Sequence, residues 1–118
     1  GVIAEIVANV LENAFKYAKK EAEIGIAFTA KGLVVFDDGK KISKNEKDKI
    51  FQKGFRGVAS KKKEGTGVGL FLARKLAKQI GGDLTLLDGY SNNDVDEINI
   101  VKKKNIFYLA LPIAELHE

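Results

Sequence analysis

Three glycines at alternate positions, Gly65, Gly67 and Gly69, run straight into the helix-forming residues Leu70-Phe71-Leu72-Ala73-Arg74, and no other stretch constrains the chain as much. Glycine allows a tight turn and a close approach of backbone to ligand, and the first free N–H groups of a helix attract anions. Gly65-Thr66-Gly67-Val68-Gly69-Leu70 therefore reads either as a phosphate cradle or as a simple connection ahead of a helix. It is not a Walker loop, because no Lys-Ser or Lys-Thr follows the last glycine. A Rossmann turn does not fit either: the preceding residues, Ser60-Lys61-Lys62-Lys63-Glu64, are polar and basic where a buried strand is required.

The rest of the chain must supply the context. At 118 residues it forms one domain, residues 1–118, with room for a single core. There is no cysteine, which excludes disulfides, thiolate zinc sites and cysteine nucleophiles. No apolar run approaches the ~18 residues of a membrane span and no signal peptide is visible, so the expectation is a cytoplasmic domain without membrane contact. The net charge of +4 is too small to argue for nucleic acid as a partner, but its distribution is uneven. Between Ser43 and Glu64 lie eight basic and three acidic residues, so this one segment carries more positive charge than the chain as a whole.

Residues 2–19 have the period of an amphipathic helix, with Ile3, Ile6, Val7, Val10, Leu11, Ala14 and Ala18 in one core-facing stripe. Asn9, Asn13 and Lys16 stack on another face, with Tyr17 beside them. Asparagine is a poor helix-interior residue, so this face is either solvated or functional. Residues 22–30 alternate, with Ile24, Ile26 and Phe28 on one side. A turn at Lys31-Gly32 and a second strand over 33–37 complete an antiparallel hairpin that ends at Asp37-Asp38-Gly39. Those aspartates are either turn formers or ligand groups aimed into a cleft. Phe51 and Phe55 are spaced to pin a short helix to the body, and residues 57–66, without periodicity, read as a mobile stretch. A helix is expected over 70–80, with Leu72, Leu76 and Ile80 beside Ala73 and Ala77 as its buried stripe and Gly81-Gly82 as its cap. Strands at 83–88, 97–101 and 105–113 close the domain, the last two as a hairpin across Lys102-Lys103-Lys104.

In order along the chain, these stretches resemble the ATP-binding domain of sensor histidine kinases. That domain has the Bergerat fold shared with gyrase, the ATP-driven heat-shock chaperone and mismatch-repair ATPases. Asn9-Val10-Leu11-Glu12-Asn13-Ala14-Phe15-Lys16-Tyr17 is similar to the N box and Val35-Phe36-Asp37-Asp38-Gly39-Lys40-Lys41-Ile42 to the G1 box. Phe51 to Phe55 is similar to the F box, and Gly65-Thr66-Gly67-Val68-Gly69-Leu70 to the G2 box. The resemblance implies an α/β (α+β) two-layer sandwich, a mixed and largely antiparallel sheet with helices packed on one face.

It also implies roles. Asn13 would bind Mg²⁺ through its amide oxygen, Asn9 would serve the phosphates or the metal's water shell, and Lys16 would place a positive charge on the phosphates; these three form the catalytic set. Tyr17 would pack near the adenine, and Asp37 would accept a hydrogen bond from its exocyclic amino group, with Gly39, Lys41, Ile42 and Phe51 around the same pocket. Gly65, Thr66, Gly67, Val68, Gly69 and Leu70 would line the phosphates, under a lid formed by the basic segment. The implied activity is transfer of the γ-phosphoryl group of ATP to a histidine on a separate dimerisation bundle, ahead of a response regulator.

Two departures stand out. Lys41 occupies a position where the family usually has glycine. The chain also begins at the N-box helix, so the expectation is a donor domain that lacks the family's preceding strand and short helix as well as the phosphoacceptor bundle; His117, in the tail, is a solvated end residue. The alternatives are a nucleotide-binding regulatory module that has lost catalysis, which Lys41 motivates, and an anti-sigma-type serine kinase. The Lys16-Tyr17 ending and the Phe51/Phe55 pair argue against the latter.

Overall fold

The computed structural model describes residues 1–17, 21–39, 42–54, 69–87 and 105–112. The first helix, α1 (Val2–Tyr17), carries Glu5 in its first turn and Lys16 in its last, both placed to complement the helix dipole. Its stripe is the one the periodicity predicts: Ile6, Val10 and Ala14 are buried, and Ile3, Val7 and Leu11 pack beside them. The hairpin β1 (Ile24–Thr29) and β2 (Gly32–Asp37) follows in the expected antiparallel register, Ile24 opposite Asp37 and Thr29 opposite Gly32.

Beyond β2 the expected short helix is reduced to two single 3-10 turns, Lys44–Glu46 and Lys49–Phe51, and the chain turns away at Gly54 with φ +79°. A left-handed residue two positions after Gln52, itself already extended, leaves no room for a further helical turn. The second helix, α2 (Gly69–Gln79), ends as predicted. The Gly82 N–H donates to the Ala77 carbonyl at 2.9 Å and the Gly81 N–H to the Lys78 carbonyl at 3.1 Å, with Gly81 at φ +85°, which is the Schellman arrangement. The buried stripe of α2 is rotated from the predicted one. Leu70, Ala73 and Ala77 are buried, Leu76 and Ile80 pack beside them, and Leu72 is exposed. At 100° per residue Leu72 lies a quarter-turn and more from the centre of the 70-73-77 line, so the leucine spacing misled where the alanines did not.

Strands β3 (Asp83–Leu86) and β4 (Asn105–Ala110) complete a sheet of order β1-β2-β4-β3, in which every pairing among the described residues is antiparallel. The predicted strand at 97–101, Lys41, Phe55 and the segment from 57 to 66 lie outside the described residues. One face of the sheet presents Leu33, Val35, Leu84, Leu86, Phe107 and Leu109 to α1 and α2, forming a two-layer α+β sandwich. Edge strand β1 is an exception to the burial its pattern suggests: Ile26 and Phe28 lie on the helical side of the sheet, yet Phe28 is 78% exposed. The opposite face carries a smaller cluster of Val34, Ile106 and Tyr108. No helix among the described residues is long and apolar enough to cross a membrane.

Candidate functional site

The strand β2 is apolar along its length and ends in Asp37, a carboxylate 4% exposed. A buried charge needs partners, and Asp37 has two, both on Oδ1: the Gly39 N–H donates at 2.7 Å and the Asn105 side-chain amide at 3.2 Å. Oδ2 carries neither of these bonds. Burial pushes the carboxyl above its ordinary pKa and the neighbouring Asp38 pushes it the same way, while the hydrogen bonds from Asn105 and Gly39 pull it back. The two adjacent aspartates are placed differently. Asp38 closes the hairpin, its Oδ2 accepting the Glu23 N–H at 3.1 Å and its own N–H donating to the Glu23 carbonyl at 3.1 Å. Asp37 is instead buried, with its two hydrogen bonds on one oxygen.

Gly39 joins this corner to α1. A Cβ built there would meet Asp37 Oδ1 at 2.8 Å and the Tyr17 carbonyl oxygen at 3.2 Å, so only glycine lets the post-strand turn rest against the end of the helix. Tyr17 is thereby fixed beside the Asp37 corner, with the Lys16 ammonium 5.8 Å from its ring centroid. One and two turns back along α1, Asn13 and Asn9 continue the polar face, both half-buried. The Asn9 amide nitrogen donates to the Glu5 carbonyl at 3.0 Å, which leaves its oxygen facing away from the helix backbone.

The start of α2 meets the same face. A Cβ on Gly69 would lie 3.9 Å from Asn9 Oδ1 and 4.0 Å from the Asn9 carbonyl oxygen, so the free N–H groups of the first turn of α2 begin beside Asn9. Leu70 and Phe51, both assigned to the pocket by resemblance, are buried in the core beneath it. Phe51 packs edge-on to Phe107 with centroids 6.3 Å apart, and the Arg74 guanidinium lies 5.0 Å from its ring centroid while its Nε pairs with Asp83 Oδ1 at 3.1 Å. The fold thus brings Asn9, Asn13, Lys16, Tyr17, Asp37, Gly39 and Gly69 along one line from the end of β2 to the start of α2. Ile42 is tied in through its N–H. Lys41, Gly65, Thr66, Gly67 and Val68 lie outside the described residues.

Asn105 escaped the sequence reading. It follows three lysines and opens an apolar strand, a place where asparagine reads as a turn residue. Only the register of β4 against β2, with Asn105 opposite Asp37, exposes it.

Comparison with known proteins bears on the family and the fold. A family model described as histidine kinase-, DNA gyrase B-, and HSP90-like ATPase matches residues 2–115. The sensor histidine kinase Hik2 of Thermosynechococcus vestitus is 37% identical over 116 residues, which are 94% of this chain and 28% of that protein. The sensor protein KdpD of Escherichia coli is 37% identical over 84 residues, 68% of this chain and 9% of that protein. The chain therefore spans well under half the length of these relatives. Among solved structures, a mycobacterial sensor histidine kinase MprB superposes with a TM-score of 0.74 at 23% identity, over 94% of this chain and 72% of that one. The catalytic domain of the histidine kinase ThkA superposes with a TM-score of 0.69 at 23% identity, over 94% and 66%. At such identities the superpositions speak for the fold, and together with the family match over residues 2–115 they place the chain in the family of histidine kinase-, DNA gyrase B- and HSP90-like ATPases.

Proposed function

We propose that this chain is the ATP-binding, phosphoryl-donating domain of a sensor histidine kinase, acting on a histidine of a separate helical bundle in two-component signalling. The observation that carries the reading is the juxtaposition of a buried, hydrogen-bonded Asp37 with the polar face of α1 bearing Asn9, Asn13 and Lys16. A carboxylate offers only acceptors, so Asp37 Oδ2 suits the exocyclic amino group of adenine and opposes the carbonyl that guanine places there. Tyr17 and Gly39 border the base, and Lys16 brings positive charge to the phosphates. The Gly69 end of α2 adds backbone N–H donors.

The donor set fits Mg²⁺. Among the described residues no group of three or more His, Cys, Asp or Glu could hold a metal on protein ligands alone. A single hard amide oxygen, that of Asn13, suits a cation that keeps its remaining positions for phosphate and water. Bound there, the ion would neutralise phosphate charge. The protein's part in the transfer is positioning: Asp37 fixes the base, while Lys16 and the α2 N–H groups hold the phosphates. The bond from the γ-phosphorus to its bridging oxygen breaks as one forms to the acceptor imidazole, and ADP leaves.

The test is phosphorylation with radiolabelled ATP. The chain alone is expected not to label itself. Given the histidine-bearing bundle of its own full-length protein on a second polypeptide, it is expected to label that bundle with an acid-labile, base-stable group, and Asn13→Ala is expected to reduce the label to background with the fold intact. Binding of Mg·ATP without any labelling of the bundle would replace the kinase reading by that of a binding module.

A further inference from the structure

Asn105 is 5% exposed and sits directly across the β2–β4 ladder from Asp37. Its two amide atoms do different work. Nδ2 donates to Asp37 Oδ1 at 3.2 Å, and Oδ1 accepts the Ile42 N–H at 2.8 Å. The orientation of the amide follows from its neighbours: a backbone N–H requires the oxygen and a carboxylate requires the nitrogen, so the flipped amide would lose both bonds. We propose that Asn105 is a positioning residue for base recognition, which selects the Asp37 oxygen presented to the nucleotide and fastens that carboxylate to the Ile42 end of the loop leaving β2.

The argument rests on the reading of Asp37 as the adenine acceptor. An aspartate carboxylate turns about a broad, two-fold torsion, so its two oxygens are equivalent unless something distinguishes them. Here the Gly39 N–H and the Asn105 amide both converge on Oδ1, which fixes the rotation and leaves Oδ2 as the oxygen without either bond. The Gly39 bond comes from two residues along the same turn and cannot hold that turn against the sheet. The Asn105 bond, from the neighbouring strand, can. The second bond extends the hold. Ile42 lies beyond the turn at the start of the segment that carries the 3-10 turns and Phe51, so one side chain sets the spacing between the base-reading carboxylate and that segment. A serine is too short to reach both partners, and an aspartate would keep the acceptor for Ile42 while setting one carboxylate against another.

Calorimetric titration of ADP and of GDP into the wild-type chain, Asn105→Ala and Asn105→Asp, from about pH 5 to about pH 9, tests this, with a thermal melt of each protein. The charged group beside Asp37 within the described fold is Asp38, and it stays in place in every variant. The wild type is expected to prefer ADP and to lose ADP affinity as pH falls through the raised pKa of Asp37. In Asn105→Ala, ADP affinity at neutral pH is expected to fall about tenfold with a smaller change for GDP, and the acid limb to move to higher pH, because a hydrogen bond favouring the ionised form has gone. Asn105→Asp, nearly isosteric and so protected against loss of volume, is expected to bind ADP best where the carboxyl pair holds one proton, and to weaken as pH rises further, where the wild type does not. Variants that melt lower but keep wild-type ADP affinity, ADP over GDP preference and acid limb would overturn the proposal and leave Asn105 as a strand-end structural residue. Equal affinity of the unaltered chain for ADP and GDP is a separate result: it removes Asp37 from base recognition and the proposal with it.

Discussion

The two ends of the proposed site are built on opposite plans. At the end proposed for the base, Asp37 and Asn105 are almost wholly buried, paired with one another across a strand ladder and tied to two backbone N–H groups. At the end proposed for the phosphates, Asn9, Asn13 and Lys16 are half-exposed on a helix face; Asn9 is braced by a bond to its own helix, and Lys16 leans toward Tyr17. On the proposed function, the contrast follows from what each end would recognise. A base edge is neutral and differs from its competitor by one donor or acceptor, so discrimination requires a rigid, dry acceptor whose misuse leaves a buried group unpaired. A triphosphate is strongly charged and hydrated, and charge with adaptable geometry is sufficient to hold it.

The sharpest break of this contrast is Asp37→Asn. The new amide can still accept from Gly39 and Asn105, but it turns a donor toward the ligand, so ADP affinity is expected to fall at least about a hundredfold, with GDP or IDP losing less or gaining. Stability should move the other way. Because the folded chain raises the pKa of Asp37, it holds that proton more tightly than the unfolded chain does. The group therefore favours folding below its ordinary value and opposes it increasingly as pH rises through the raised one. Asp37→Asn is thus expected to melt no lower than the wild type at neutral pH, with any gain vanishing in acid; a large fall in the neutral melting temperature would show that the carboxylate stabilises the fold.

Gly39→Ala probes the rigidity itself. Its methyl group would press on Asp37 Oδ1 and on the Tyr17 carbonyl, neither of which has freedom to retreat. A destabilisation of about 1–3 kcal/mol in denaturant, with weaker ADP binding, is expected, and a neutral result would mean that the base end is softer than described. The smallest effect is expected at Lys16→Ala. ATP should bind about fivefold more weakly, at about 1 kcal/mol for one partly exposed charge contact, while adenosine binding stays unchanged. An equal loss for adenosine would move Lys16 to the base end and erase the distinction between the two.

What could be read from the residues divides along similar lines. The stripe of α1, the β1–β2 hairpin and the Gly81-Gly82 cap rest on local rules, period and backbone conformation, and the structure follows them. Asp37 stood out because an acid at the end of an apolar strand is anomalous there, though the residues alone left it a turn former or a ligand group. Asn105 did not, since its meaning depends on a partner 68 residues away. Leu72 misled, and the exposure of Ile26 and Phe28 on the face where they were expected was not legible, because hydrophobicity says that a side chain gains from burial without saying which elements lie above it. The sheet extends to β1 beyond the cover that α1 and α2 give it among the described residues. Tertiary packing decided these cases, and in α2 the small residues Ala73 and Ala77, which let the helix approach the sheet, marked the contact face better than the large ones.

The strand order β1-β2-β4-β3 places the last described strand between two that precede it. During synthesis, β2 therefore leaves the ribosome with only β1 to join it and β3 before its described partner β4, and Asp37 waits without the Asn105 amide. The helices and the first hairpin can form while the chain is still growing. The Asp37–Asn105 corner cannot, because Asn105 arrives only with β4, and the same strand zips the two halves of the described sheet together. On the role proposed for Asp37, closure of this sheet and acquisition of nucleotide selectivity are thus a single late event, and a nascent chain stalled before β4 would carry Asp37 without the amide that orients it.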